Sequence, residues 1–115
     1  MITSNIKALL IEDNKSHVDL ITDLLSESKR VKTSLETAGS FQQAQQLILA
    51  NKYDLILADL SLPDSRYNET LKKLTKLVKE TPIVAITSLE DQDTINGMIK
   101  DGAEDCIPKI QLNTE

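Results

Sequence analysis

The chain has 115 residues, 40% of them hydrophobic and 27% charged, the make-up of one globular domain with material for a single core. A net charge of −5 and an aromatic content of 3% exclude a general nucleic-acid binder, since phosphate contacts need a basic face and base stacking needs aromatic platforms. One cysteine, Cys106, excludes an internal disulfide and suits a reducing cytoplasm, and neither a membrane-length apolar run nor a signal-peptide pattern is visible, so the expectation is a cytoplasmic domain over residues 1–115.

In chain order, Ile6-Lys7-Ala8-Leu9-Leu10-Ile11 reads as a buried strand that ends on Glu12-Asp13-Asn14. Asp13 or Asn14 can cap the helix that follows, from about 15 to 28, where Val18, Ile21, Leu24 and Leu25 fall on one face. Val31 to Ala38 is loosely alternating and rich in β-branched residues, an exposed edge strand. Gly39 breaks it, and Ser40 can cap a second helix that runs through Phe41, Ala44, Leu47 and Ile48 to about Asn51. Leu55 to Ala58 is too short an apolar run for a helix and fits a strand buried on both faces. It ends on a carboxylate, Asp59, before the chain turns through Pro63-Asp64-Ser65.

A third helix is expected from about Asn68 to Glu80, with Leu71, Leu74, Leu77 and Val78 inward and Lys72, Lys73, Lys76 and Lys79 as a solvated face. Pro82 to Ser88 is a fourth strand, finishing on the hydroxyls of Thr87 and Ser88. A helix from about Asp91 to Lys100, weakened by Gly97 and stopped by Gly102, leads to a short fifth strand from Ala103 to Lys109. Five strands alternating with helices imply βαβ crossovers and a parallel sheet covered on both faces.

Four of those strands end in chemistry: Glu12-Asp13, Asp59, Thr87-Ser88 and Lys109. In a parallel sheet the carboxyl ends share one edge, which is where ligands bind. A buried acid there is costly unless paired, metal-bound or reactive. Three acids supply hard oxygen ligands that suit magnesium, a lysine and a hydroxyl can stabilise phosphoryl oxygens, and a carboxylate can act as nucleophile to give an acyl phosphate.

Over nearly its whole length the chain resembles the receiver domain of two-component response regulators, which also occurs in hybrid sensor histidine kinases. The resemblance rests on Leu10-Ile11-Glu12-Asp13-Asn14, the run from Asp54 to Asp64, Ile86-Thr87-Ser88, Gly102-Ala103 and Lys109, in order and at the family's spacings. It implies a flavodoxin-like (βα)5 fold, a five-stranded parallel sheet of order 2-1-3-4-5. It implies that Asp59 accepts a phosphoryl group from a histidine kinase or histidine phosphotransfer protein. Glu12, Asp13, Asp59 and the backbone carbonyl of Ser61 would hold magnesium, Thr87 would hydrogen-bond the phosphoryl group, and Lys109 would pair with its oxygens. The protein would then be a switch rather than an enzyme, beyond removing its own phosphoryl group, and would touch neither nucleic acid nor membrane directly.

Four departures from the family pattern stand out. Cys106 occupies the place of the aromatic switch residue, three before the lysine, and Lys109 is followed by Ile110 where a proline is usual. Tyr67 replaces the glycine of the loop after the third strand, which costs on the order of 1 kcal/mol if that position keeps a positive φ, so a rebuilt loop is expected. The family's last helix would begin near Gln111 or Leu112, and the sequence ends at Glu115, so that helix is expected to be truncated or missing: the chain could be cut from a longer protein, a homodimer could cover the open face, or the domain could be minimal. The alternative function is a pseudo-receiver, an interaction module that keeps the fold without phosphorylation switching. His17 is expected to face solvent with no ligand role, Cys106 to be a small buried hydrophobe, and Tyr53 and Tyr67 to carry no chemistry.

Overall fold

Consecutive apolar residues in a strand are tolerated only where both faces of the sheet are covered, and the strands here are of that kind. The computed structural model describes residues 4–27, 31–87 and 92–108. Along them run β1 (Ser4–Ile11), α1 (Lys15–Ser26), β2 (Val31–Ala38), α2 (Phe41–Ala50), β3 (Leu55–Asp59), α3 (Tyr67–Leu77), β4 (Ile83–Thr87), α4 (Gln92–Lys100) and β5 (Asp105–Pro108). All strand pairs are parallel, in the order β2-β1-β3-β4-β5 expected from the sequence.

The strand period of two divides the core. Leu9, Ile11, Ile56, Ala58, Ile83, Ala85 and Cys106 point to the side covered by α2, α3 and α4, where they meet Phe41, Ala44, Ile48, Leu71, Leu74 and Met98. Leu10, Leu57 and Ile86 point to the other side and meet Ile21 of α1, with Val18, Leu25, Leu35, Leu55 and Val84 partly buried around them. The last helix expected near Gln111 lies outside the described residues.

Most element bounds fall close to the sequence reading. The exception is α3, which ends at Leu77 rather than near Glu80. Val78 is already extended (φ −124°, ψ 117°), and its N–H donates to Leu74 O at 3.0 Å. Pro82 biases Thr81 away from helical geometry, so the chain must straighten before it enters β4. Tyr67 does not carry a strained loop: it is the first residue of α3, and no described non-glycine residue has positive φ.

Gly102 is the position where glycine is required. Its N–H donates to Ile99 O and the next N–H, of Ala103, to Met98 O, a Schellman closure of α4 with Gly102 at φ +118°. A Cβ there would lie 2.7 Å from Thr75 Cγ2 on α3, so the same glycine also sets how closely the α4 end approaches α3. Gly102→Ala therefore destabilises the fold by ~1–3 kcal/mol through the backbone conformation alone. Urea denaturation checks this, and adding Thr75→Ser recovers only the part due to the methyl contact.

Candidate functional site

Backbone ladders deliver three acids to one edge of the sheet. Glu12 follows β1 directly, and its N–H still donates to Ala38 O at 2.9 Å. Asp59 is the last residue of β3 and sits opposite Ile86 in register. Both carboxylate residues are buried, at 3% and 4% exposure, while Asp13 faces solvent. One oxygen from each of Glu12, Asp13 and Asp59 lies within 4.8 Å of the other two. Thr87 ends β4 one residue beyond Ile86 and is buried as well. Pro108 of β5 is its register partner, and Lys109, the next residue, lies outside the described residues, as does Ser88.

The two buried acids are each held by their local turn. Asn14, and not Asp13, caps α1: its Oδ1 accepts from Ser16 N at 2.9 Å and His17 N at 3.4 Å. The Asn14 N–H in turn donates to Glu12 Oε1 at 3.2 Å. Asp59 Oδ1 accepts from the N–H of Ser61 at 2.9 Å, which fixes the carboxylate against the start of its own loop.

That loop is fastened at several points. Leu62 and Ser65 exchange backbone hydrogen bonds around Pro63-Asp64, a tight turn where the sequence led us to expect one. Thr70, fully buried on α3, has its Oγ1 2.9 Å from Leu60 O, 2.8 Å from Arg66 O and 2.7 Å from Ser65 Oγ. Asp64 reaches across to α2, where its two oxygens accept from Phe41 N at 2.7 Å and Gln42 N at 2.9 Å. Ser40 Oγ takes Gln43 N at 3.1 Å, so three of the first donors of α2 are satisfied by side chains. Those Phe41 and Gln42 N–H groups hold the Asp64 carboxyl below its ordinary pKa.

Two expectations change. His17 does not simply face solvent: its side chain is 38% exposed and its Nδ1 lies 3.1 Å from Glu12 Oε1. Lys73 leaves the solvated lysine face, with Nζ 4.8 Å from the centre of the Phe41 ring and donating to Ser65 Oγ at 3.3 Å. Sequence reasoning could not find the Asp64 cap, because its partners are more than twenty residues away. Tyr53 also acquires a role, in packing: its hydroxyl donates to Glu36 Oε1 at 2.5 Å, and burial, with Glu36 beside it, pushes its pKa up to about 12. Cys106 is buried as expected. Its Sγ lies 3.3 Å from Met98 Sδ on α4, and burial pushes the thiol pKa up.

A sequence model of the response regulator receiver domain matches residues 8–114. The chain belongs to that family. It is 31% identical over 103 residues to the probable C4-dicarboxylate response regulator DctR of Bacillus subtilis, covering 90% of this chain and 45% of DctR. The receiver domain of the Francisella response regulator 1452 superposes with a TM-score of 0.78 at 26% identity, over 95% of this chain and 94% of that one. The Mn2+-bound form of response regulator Rcp1 gives 0.80 at 22% identity over 90% and 81%, a likeness of fold. The chain spans less than half the length of the curated relatives it matches. No described helix of this receiver domain is long and apolar enough to cross a membrane.

The Asp64 clamp has a pH signature. A carboxyl whose folded pKa is depressed stabilises the fold above its unfolded pKa and loses that contribution as pH falls through the folded value. Asp64→Asn is therefore expected to melt below wild type at neutral pH. The gap should narrow as pH drops through and below about 4, the ordinary range of an aspartate. Thermal melts from pH 7 to pH 3 check it.

Proposed function

We propose that this chain is the phosphoacceptor receiver of a two-component phosphorelay, taking a phosphoryl group onto Asp59 from a histidine kinase or a histidine phosphotransfer protein. The observation that carries the reading is the meeting of Glu12, Asp13 and Asp59 within 4.8 Å at the carboxyl edge of the sheet, with Thr87 ending the adjacent strand. In the transfer, a P–O bond forms to an Asp59 carboxylate oxygen as the P–N bond to the donor imidazole breaks. The imidazole leaves with that electron pair and takes up a proton from solvent. The product is an acyl phosphate on Asp59.

The donor set is all oxygen, which suits magnesium, an ion that prefers oxygen ligands and keeps several of its own waters. Glu12, Asp13, Asp59 and the Ser61 carbonyl would hold the ion; when bound it offsets charge on the phosphoryl oxygens and the acids. The chain's own contribution is positioning. The Ser61 N–H orients the Asp59 carboxylate, and the Thr70 and Asp64 contacts fix the loop that carries Ser61. Thr87, the last residue of β4, would donate its hydroxyl to a phosphoryl oxygen, and Lys109 would bring an ammonium to another.

Incubation with acetyl phosphate and magnesium, read by intact mass, tests the reading. The expected result is a gain of one phosphoryl group that is absent in Asp59→Asn. Asp13→Ala is expected to weaken magnesium binding by tenfold or more, in line with the loss of a charged ligand. Absence of labelling at every magnesium concentration would support the pseudo-receiver, for which Cys106 in place of an aromatic residue is the feature in its favour.

A further inference from the structure

Glu12 poses a geometric problem that its own backbone does not solve. Its side chain is completely buried, yet it is a long acid with several rotatable bonds at the end of a strand. One donor, the Asn14 N–H, reaches Oε1 at 3.2 Å from the turn just after it. The second contact to the same oxygen comes from His17 Nδ1 at 3.1 Å, on the first turn of α1. A carboxylate only accepts, so the ring nitrogen facing it carries a proton in this arrangement. The backbone of His17 is itself tied to the Asn14 side chain that caps the helix, at 3.4 Å. Strand end, cap and ring therefore form one connected unit, Glu12–Asn14–His17.

We propose that His17 is a positioning residue for Glu12: its Nδ1–H fixes the plane of the buried carboxylate so that Glu12 meets a divalent cation already oriented. The inference rests on the metal reading given above. It assigns His17 no contact with the ion and no proton transfer. Groups that orient metal ligands in this way commonly change affinity by ten- to a hundredfold when removed. Two donors from different elements, the turn after β1 and the first turn of α1, narrow the orientations open to the carboxylate more than either does by itself. Asparagine at the same position places an amide N–H near where Nδ1 stands, and alanine places none.

The test uses Mn2+ as the probe, with free ion followed by electron paramagnetic resonance in titrations of wild type, His17→Ala and His17→Asn, and melting temperatures measured without metal. The expected result is an affinity about tenfold weaker in His17→Ala, recovered to within about threefold of wild type in His17→Asn, with little change in metal-free melting. Wild-type affinity in His17→Ala, or tighter binding, overturns the inference and leaves the metal site standing. Equal losses in both variants, with lowered melting temperatures, also overturn it, since that pattern marks His17 as structural packing. If wild type does not bind Mn2+, the metal reading itself fails, and the role of His17 with it.

Discussion

Three carboxylates held within 4.8 Å of one another are the constraint around which this molecule is arranged. Two unit charges at that distance repel by on the order of 3 kcal/mol at an effective dielectric near 20, and by less where Asp13 meets water. Folding tolerates the repulsion because the ladders leave the acids no alternative: Glu12 is fixed by its bond to Ala38, and Asp59 is fixed at the end of β3 between β1 and β4. Apolar strand residues on both faces supply the burial that keeps those ladders in register. The unfavourable local charge is thus maintained by core packing elsewhere, a common arrangement at functional sites.

The surroundings of the acids show the same division of labour. Short-range contacts orient the two buried carboxylates, from Asn14 to Glu12 and from Ser61 to Asp59. Longer contacts stabilise the loops that supply them. Asp64 ties the loop after β3 to α2, Thr70 ties it to α3, and Lys73 spans Ser65 and the Phe41 ring. The loop that lacks the family's usual glycine is consequently well determined without any residue at positive φ. On the other flank, Cys106 and Met98 bring β5 and α4 into sulfur contact within the core where an aromatic residue is usual. The pair is compact and buried, and it offers no ring to swing between exposed and buried positions.

Period and punctuation made the elements legible in the sequence. The apolar runs of β1, β3 and β4, the Ser40 cap and the Gly102 stop are local signals, and each corresponds to an observed element or boundary. The gathering of Glu12, Asp13 and Asp59 was legible too, because a parallel sheet puts all its carboxyl ends on one side. What was not legible depends on tertiary partners. Asp64 finds its donors on α2, Lys73 finds an aromatic face, and His17 finds a glutamate only because α1 starts directly above the strand end. The early end of α3 came from the approach to β4 rather than from helix propensity.

The acidic cluster, in the reading proposed here, is a strained site suited to a divalent cation. Thermal unfolding of wild type and Asp13→Asn, each in chelator and in millimolar magnesium, addresses it most directly. Neutralising Asp13 relieves repulsion without touching the core, so the variant should melt a few degrees above wild type in chelator, about the shift expected for ~1 kcal/mol in a domain of this size. Magnesium should then raise wild type and leave the variant nearly unchanged, because stabilisation follows binding to the native state. A variant less stable than wild type in chelator, or equal stabilisation of both proteins by magnesium, would contradict the claim.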